Sequence, residues 1–286
     1  MEIRIAKSAG FCFGVKRALK LVAMLTAEGG NIQTYGELIH NPAVLRDLAA
    51  RGVRPVYDFR EIDPAGVLVI RSHGIGREIE ARLRAEKISF VDATCPFVKK
   101  IHRLVSNLSE QGKRIVIAGD RRHPEIVGIQ SYFNREGTII NSMAELEKLS
   151  PAREMSILAQ TTLDRGFYRR LVSRLLEKTD KLEVYNTICA ATEIRQQEVR
   201  RLASEVDALI VVGGKNSSNT RKLYKIARRF NQRAYYLESS RDLSRVSWLD
   251  EIIDCHSIGI HGGASTPPRE IERVAEYLAD IYEQRR

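Results

Sequence analysis

Three cysteines of this chain lie in the same kind of local sequence. Cys12, Cys95 and Cys189 each follow a segment that predicts a strand and precede a segment that predicts a helix. A helix N-terminus carries partial positive charge and unpaired N–H groups, which favour a thiolate over a thiol. Because a thiolate is the form that ligates metals or attacks electrophiles, the shared context indicates a common chemical role.

One cysteine from each of three segments fits an iron–sulfur cluster. Such clusters are usually held by four thiolates, so three cysteines leave one iron open to bind a substrate as a Lewis acid. A plainer interpretation is three buried, small, apolar side chains. A zinc site is a further alternative, but such sites typically contain closely spaced ligand pairs, which this sequence lacks. Cys255 lies outside the strand-to-helix context, and we expect it to be structural.

Polar side chains in several turns suit a diphosphate. His40, His73 and His123 each lie in a turn that contains Gly or Pro, beside a polar neighbour. Neutral donors and helix N-termini can hold phosphate without a lysine cluster. Segment 213–216 lacks the upstream glycine and the Ser/Thr of a Walker A loop, which excludes an NTPase of that kind. The candidate hydroxyl and amide donors are Thr192, Ser217, Ser218, Asn219 and Ser265.

Glu125, two residues after His123, is a candidate proton donor because it is an acid in one of these polar turns, where the other acids are Glu37 and Asp120. A carboxyl group enclosed in a pocket can have its pKa raised towards neutrality and can then deliver protons. The simpler interpretation is an acidic residue at a helix N-terminus, where the helix dipole favours negative charge.

Composition limits the class of protein. The chain has 286 residues and a net charge of +10, which suggests an anionic partner. It contains no run of 18 apolar residues and begins without the apolar core and cleavage site of a signal peptide, so we expect no membrane span and a cytoplasmic location. Four cysteines without a C-x-x-C pair do not resemble a disulfide framework.

The pattern of strands and helices predicts an α/β fold with parallel-rich sheets. The three cysteines are separated by 83 and 94 residues, which indicates three similar α/β units of about 90 residues. We place the units at residues 14–92, 93–185 and 186–286, with the N-terminal strand of residues 1–13 joining the third. Ligands in such folds bind at the carboxyl ends of the strands. Apolar runs predict strands at 32–35, 67–70, 155–159, 208–212 and 257–260.

A basic stripe recurs at helical spacing in the last third of the chain. Such a stripe is usually a solvated helix face, but it also suits docking of an acidic electron carrier or of nucleic acid. Few aromatic residues interleave with it and the sequence has no nucleic-acid motif, so we expect no nucleic-acid partner. The stripe comprises Arg221, Lys222, Lys225, Arg228, Arg229 and Arg233.

Seven segments, taken together and in this order, resemble the 4-hydroxy-3-methylbut-2-enyl diphosphate reductase family. The resemblance covers essentially the whole chain. The segments are AGFCFGV at 9–15, GELIHNP at 36–42, DATCP at 92–96, HPE at 123–125, QTTL at 160–163, ICAAT at 188–192 and KNSSN at 215–219.

The resemblance implies a trefoil-like arrangement of three α/β units around one central [4Fe–4S] cluster per chain, held by Cys12, Cys95 and Cys189. It implies reductive dehydroxylation of an allylic diphosphate to isopentenyl and dimethylallyl diphosphates, with the substrate hydroxyl on the open iron. Glu125 would supply protons with Thr161 nearby, and a ferredoxin or flavodoxin would supply electrons. The diphosphate would be held by His40, His73, His123, Ser217, Ser218, Asn219 and Ser265.

Two positions depart from the usual family pattern. The turn at 261–266 keeps Ser265 but begins with His261, where the family commonly has a threonine. Ala190 replaces an aromatic residue that often follows the third cysteine. We expect the first departure to alter the local diphosphate geometry and the second to affect packing only.

Overall fold

The computed structural model describes residues 1–133 and 137–285. Within these residues the chain alternates twelve strands with eleven α-helices. The strands, β1 to β12 in chain order, are Glu2–Ile5, Ile32–Tyr35, Arg54–Val56, Val67–Ile70, Phe90–Asp92, Ile115–Ala118, Thr138–Ile140, Glu154–Ala159, Lys181–Tyr185, Ala208–Val212, Ala234–Leu237 and Ser257–Gly262.

The helices separate successive strands in most of the chain. Two short 3₁₀ helices, Phe59–Glu61 and Ser240–Arg245, complete the regular structure of the described residues. The α-helices, α1 to α11 in chain order, are Phe13–Ala27, Pro42–Ala50, Arg77–Ala85, Pro96–Glu110, Pro124–Gln130, Met143–Glu147, Arg165–Leu175, Ala190–Glu205, Ser218–Phe230, Leu249–Ile252 and Pro268–Gln284.

The strands form three four-stranded sheets, in the orders β5-β4-β2-β3, β9-β8-β6-β7 and β1-β12-β10-β11. Every described pair of neighbouring strands is parallel. The predicted α/β class with three similar parallel-sheet units is therefore confirmed. The three orders are equivalent, and in each sheet the edge strand (β1, β5 or β9) is the one that leads to a candidate cysteine.

The apolar runs of the sequence form the inner strands of these sheets. All five residues of β10 are buried, as are all four of β6, because helices cover parallel sheets on both faces. The predicted strands at 32–35, 67–70 and 208–212 are confirmed residue for residue. The last strand is two residues longer than predicted, since His261 and Gly262 continue the pairing with β10.

The chain divides into two compact units. The first comprises residues 1–16, 39–47 and 190–286, and it contains the sheet of β1, β10, β11 and β12. The second comprises residues 17–38 and 48–189, and it contains the other two sheets. The sequence-based boundaries at 14–92, 93–185 and 186–286 remain a prediction. Among the described residues, none of the helices has the length and apolarity needed to span a bilayer.

His102 is a buried titratable group in the second unit. It lies in α4 with 6% of its surface exposed, and its ring stacks on Tyr132 with 4.4 Å between the ring centroids. Burial lowers the pKa of His102 from 6.5 to about 4, because the charged imidazolium loses its hydration. The unfolded chain therefore binds one more proton than the folded chain between these two pH values.

We expect His102→Phe to weaken the acid sensitivity of folding. Stability that depends on neutral His102 is present above about pH 6.5 and declines as the pH falls towards about 4. Between about pH 7 and about pH 5, the free energy of unfolding of the parent chain should therefore fall by about 2 kcal/mol more than that of the variant. Urea unfolding at both pH values measures this difference. The same substitution at the exposed His256 provides the control. If the free energy of unfolding falls equally in the parent chain and in His102→Phe, the assignment is wrong.

Candidate functional site

Each of the three candidate cysteines directly precedes a helix. Cys12 precedes α1, Cys95 is the N-cap residue of α4, and Cys189 precedes α8. Among the described residues none of these three thiols takes part in a disulfide bond, and all three are partly exposed. Cys255, likewise outside any disulfide bond, is 7% exposed and packs among the apolar side chains between β10, β12 and α11, which agrees with a structural role.

One backbone hydrogen bond recurs at all three cysteines. The N–H of Cys12 donates to the carbonyl oxygen of Ala264 at 3.0 Å. The N–H of Cys95 donates to the carbonyl oxygen of Ser72, and the N–H of Cys189 donates to the carbonyl oxygen of Thr161, again at 3.0 Å in each case. Each acceptor lies just after the strand next to the edge strand, namely β12, β4 or β8. Each cysteine is thus tied to a turn at the carboxyl end of its own sheet.

These three turns also carry predicted site residues. Ser265 follows Ala264, His73 follows Ser72, and Thr161 is itself the acceptor. The same hydrogen bond therefore places a thiol and a polar side chain on adjoining backbone in each sheet. This is the arrangement expected where ligands bind at the carboxyl ends of parallel strands.

Glu125 and Thr161 form a buried pair in the second unit. Glu125 lies in the first turn of α5 and is 2% exposed, and Thr161 is 6% exposed. The Thr161 N–H donates to one carboxylate oxygen at 2.8 Å, and the Thr161 hydroxyl donates to the other at 2.6 Å. The Glu125 carboxyl group is therefore fixed in place. The Thr161 oxygen keeps lone pairs that can accept a further hydrogen bond.

His123 is held in one tautomer by its position as the N-cap residue of α5. Its Nδ1 accepts a hydrogen bond from the N–H of Glu125 at 3.2 Å. In the neutral ring the proton therefore lies on Nε2, which makes this nitrogen a hydrogen-bond donor. The His73 ring packs edge-on against the His123 ring, with 5.4 Å between the centroids. The structure thus brings together two of the three predicted histidines within the second unit.

His40 lies in the first unit, beside Ser265. The Ser265 hydroxyl donates to the carbonyl oxygen of His40 at 3.0 Å. The next residue, Asn41, caps α2, because its Oδ1 accepts from the N–H groups of Ala43 and Val44 at 3.1 Å each. The cap fixes the direction of the chain just after His40.

The predicted donors at 217–219 form the start of α9. Ser217 is the N-cap residue, and its hydroxyl oxygen accepts from the N–H of Thr220 at 3.3 Å. Ser217, Ser218 and Asn219 are each 5% exposed. The Nδ2 of Asn219 is buried and has no hydrogen-bond partner among the described residues. A buried donor at a helix N-terminus favours an anionic ligand.

The glycines before α9 let the backbone turn tightly. Gly213 has a φ of +143°, which L side chains rarely adopt, and a Cβ at this position would lie 2.4 Å from the Thr266 hydroxyl oxygen. Thr266 in turn donates to the carbonyl oxygen of Val212 at 2.9 Å. Gly213 therefore allows the two turns to pack closely.

The remaining predictions concern α8 and the departures from the family pattern. Thr192 is buried in the first turn of α8, whereas Ala190, the first residue of that helix, is exposed. His261 is fully buried in β12 rather than in the turn, and burial lowers its pKa to about 4. Its imidazole is therefore neutral at pH 7 and brings no added positive charge.

Sequence reasoning missed two residues of α8, Arg195 and Glu198. The Arg195 guanidinium is buried and donates to the carbonyl oxygen of Gly10 at 2.7 Å. Glu198 accepts from the N–H groups of Lys7 and Ser8 at 2.7 and 2.8 Å. Both contacts reach the loop that leads to Cys12. Six of the sixteen residues of α8 are charged, so one charged residue among them gives no local signal of such a contact.

Comparison with known proteins gives one matching family model. The model described as LytB protein matches residues 3–279. Among curated relatives, 4-hydroxy-3-methylbut-2-enyl diphosphate reductase of Aquifex aeolicus (strain VF5) is 38% identical over 289 residues, covering 99% of this chain and 98% of its own. The enzyme of the same name from Geobacter sp. (strain M21) is 39% identical over 282 residues, covering 98% of each chain.

Two solved structures are similar over nearly the whole chain. One is a structure of (E)-4-hydroxy-3-methyl-but-2-enyl diphosphate reductase, described as the terminal enzyme of the non-mevalonate pathway. It has 38% identity and a TM-score of 0.71, and the match covers 98% of this chain and all of that one. The other is E-1-hydroxy-2-methyl-but-2-enyl-4-diphosphate reductase from Plasmodium falciparum, with 26% identity and a TM-score of 0.91 over 96% of this chain and 87% of that one.

Proposed function

The chain belongs to the LytB protein family, and on that premise we propose that it reduces (E)-4-hydroxy-3-methylbut-2-enyl diphosphate to isopentenyl and dimethylallyl diphosphates. The reaction breaks the bond between carbon and the hydroxyl oxygen. Two electrons and two protons enter, one proton leaving with the hydroxyl group as water and the other adding to carbon. The two products differ in which allylic carbon takes that proton.

The observation that carries the proposal is the threefold repeat at the cysteines. Three cysteines outside any disulfide bond precede three helices, and each makes the same 3.0 Å backbone hydrogen bond to its neighbouring turn. Structural cysteines need no such repetition, because a buried thiol is fixed by packing alone. Cys255 follows that second pattern.

This donor set fits one [4Fe–4S] cluster per chain, with Cys12, Cys95 and Cys189 as its ligands. The ligands are soft thiolates, which iron–sulfur clusters require, and helix N-termini stabilise their negative charge. When bound, the cluster supplies the electrons and an open iron for the substrate hydroxyl group.

We assign the protons to Glu125. Its carboxyl group is held in one position by both donors of Thr161, and the Thr161 oxygen keeps lone pairs that can orient the substrate hydroxyl group. A positioned acid of this kind usually contributes about 10²–10⁴-fold to the rate.

The diphosphate is assigned to neutral donors. Nε2 of His123 is a donor because Nδ1 accepts from the backbone, and Asn219 offers a buried Nδ2. Neutral donors hold a phosphate through hydrogen bonds and leave the product able to dissociate. The remaining members of the proposed set are His40, His73, Thr192, Ser217, Ser218 and Ser265.

We assign electron delivery to an acidic carrier of the ferredoxin or flavodoxin type. Five of the six cations of the basic stripe are exposed, and most of them lie on α9, the helix that begins with Ser218 and Asn219. A positively charged helix face attracts an acidic protein and speeds its association. A cytoplasmic location is part of the same proposal, since thiol ligands require a reducing compartment.

Iron analysis is the direct test of the cofactor. Protein purified without oxygen should be brown and contain about four irons and four acid-labile sulfides per chain. Cys95→Ser should lose most of this iron, whereas Cys255→Ser, at the buried cysteine, should retain it. Iron-free protein with one zinc per chain would support a zinc hydrolase instead. A metal-free chain in which Cys12→Ser, Cys95→Ser and Cys189→Ser are each tolerated would support a basic binding protein.

We expect Glu125→Gln to retain the cluster and to lose turnover by about 10²–10⁴-fold. The amide keeps an acceptor for Thr161 but has no proton to deliver, so the visible spectrum and iron content should match those of the parent. Product formation with a chemical reductant measures the loss. Glu145→Gln is the matched control, since Glu145 is also an acid in the first turn of a short helix. Full activity in Glu125→Gln would show that Glu125 is not the proton donor.

Charge reversal on α9 tests the electron donor. Arg229→Glu should raise the KM for an acidic ferredoxin about 2- to 10-fold, because the exposed cation no longer attracts the carrier. Activity with dithionite should stay the same, since that small reductant needs no docking surface. Lys148→Glu makes the same change of charge at an exposed position on α6's C-terminus. Equal effects of the two variants would point to net charge rather than to α9.

A further inference from the structure

The loop that leads to Cys12 is held by the side chain of Glu198. This loop, residues 6–12, connects β1 to α1. The Glu198 carboxylate accepts from the backbone N–H groups of Lys7 at 2.7 Å and Ser8 at 2.8 Å, and it also accepts from the Ser8 hydroxyl. One side chain of α8 therefore satisfies three donors of a loop 190 residues away in sequence.

Glu198 makes these bonds as an anion. Partial burial opposes its ionisation, but the hydroxyl and the two N–H groups outweigh that effect and lower the pKa of Glu198. Hydrogen bonds to a carboxylate are roughly twice as strong as those between neutral groups. The loop is consequently held more firmly than an ordinary turn of this length.

Arg195, about one helical turn earlier in α8, holds the same loop further on. Its Nη2 donates to the carbonyl oxygen of Gly10 at 2.7 Å, and its Nη1 donates to Ala191 within α8 at 2.9 Å. Arg195 is 6% exposed, so the contact is shielded from water. The two side chains together fasten the loop to α8 on both sides of residue 9.

His261 closes the other side of Ser8. Its Nε2 lies 3.4 Å from the Ser8 hydroxyl oxygen, and its Nδ1 lies 3.0 Å from the carbonyl oxygen of Gly262, to which it can only donate. The arrangement is not a hydrolytic triad, since the carboxylate of Glu198 contacts Ser8 and not Nδ1 of the histidine. His261, the departure from the family pattern, instead packs beside the Ser8–Glu198 bond.

The loop has little space to shift. Gly10 has a φ of +95°, and a Cβ there would lie 3.3 Å from Pro268. A Cβ on Gly262 would lie 3.2 Å from the backbone nitrogen of Gly10. Two residues beyond Gly10, the N–H of Cys12 makes its 3.0 Å bond to Ala264. A displacement at Ser8 or Gly10 is therefore passed on to Cys12.

We propose that Glu198 and Arg195 are positioning residues for Cys12, which keep its thiol in the place that the cluster requires. The inference rests on the proposed role of Cys12 as a cluster ligand. It assigns to α8 a function beyond its first turn, through side chains that contact the loop before Cys12.

Hydrogen exchange on the full-length chain, prepared without iron and analysed by peptide mass spectrometry, tests this role. Glu198→Gln should speed exchange in residues 6–12, including the N–H of Cys12, by about 5- to 30-fold. Cys95 and Cys189 are internal controls, because their N–H groups make equal 3.0 Å bonds that do not involve Glu198. Glu205→Gln, at an exposed acid of the same helix, should leave all three cysteines unchanged.

Two results would overturn the proposal. If exchange becomes faster at Lys7 and Ser8 but not at Cys12, Glu198 holds the loop without positioning Cys12. If exchange becomes faster by the same factor at all three cysteines, the substitution destabilises the whole chain. Should Glu198→Gln not fold, Ser8→Ala decides, since it removes one of the three bonds. It should speed exchange at Cys12 about 2- to 5-fold, and no change there would also overturn the proposal.

Iron-loaded protein separates this inference from the proposed function. Glu198→Gln should release iron to a chelator faster than Glu205→Gln does, by a factor similar to that seen in exchange. A chain that binds no iron at all would refute the proposed cluster. The hydrogen-exchange result would still test whether Glu198 positions Cys12. An unchanged release rate in a protein that does bind iron would refute the positioning role alone.

Discussion

The hydrogen bond from each cysteine N–H to the neighbouring turn is the constraint on which the rest of the site depends. Cys12, Cys95 and Cys189 all make it at 3.0 Å, each to a residue just beyond the strand beside its own edge strand. Because a backbone bond fixes position irrespective of side chain, the turns remain free to differ. One carries Ser265, another His73 and the third Thr161, so a repeated scaffold supports three different chemical contributions.

The equivalent strand orders explain why the bond recurs. In each sheet the edge strand and its neighbours follow one another in the same order, although β1 comes from the start of the chain and β12 from its end. Parallel pairing places the carboxyl ends of neighbouring strands together, which is where the cysteine meets its acceptor. Specific hydrogen bonds hold the polar side chains next to these strand ends. Thr161 fixes Glu125, and the N–H of Glu125 fixes the tautomer of His123.

The distribution of charge separates two tasks. The net charge of +10 is concentrated partly on the exposed face of α9, where it suits an acidic protein. The buried groups assigned to the diphosphate are hydroxyl, amide and imidazole donors instead. His261 is likewise neutral, since burial lowers its pKa to about 4, and it packs beside the Ser8 hydroxyl group. The proposed diphosphate site and the proposed docking surface therefore differ in chemistry, although both proposals involve α9.

Local patterns in the sequence determined the strands at 32–35, 67–70 and 208–212, the helix starts after the three cysteines and the cap at Asn41, because apolar runs and capping residues act over a few positions. The resemblance to a family supplied the candidate residues and their roles. Tertiary structure alone decided which groups meet: Glu125 with Thr161 across 36 residues, and Glu198 with Ser8 across 190. It also placed His261 in the core, where the sequence predicted a turn. Such pairings depend on how distant strands and helices pack, and no short-range pattern records them.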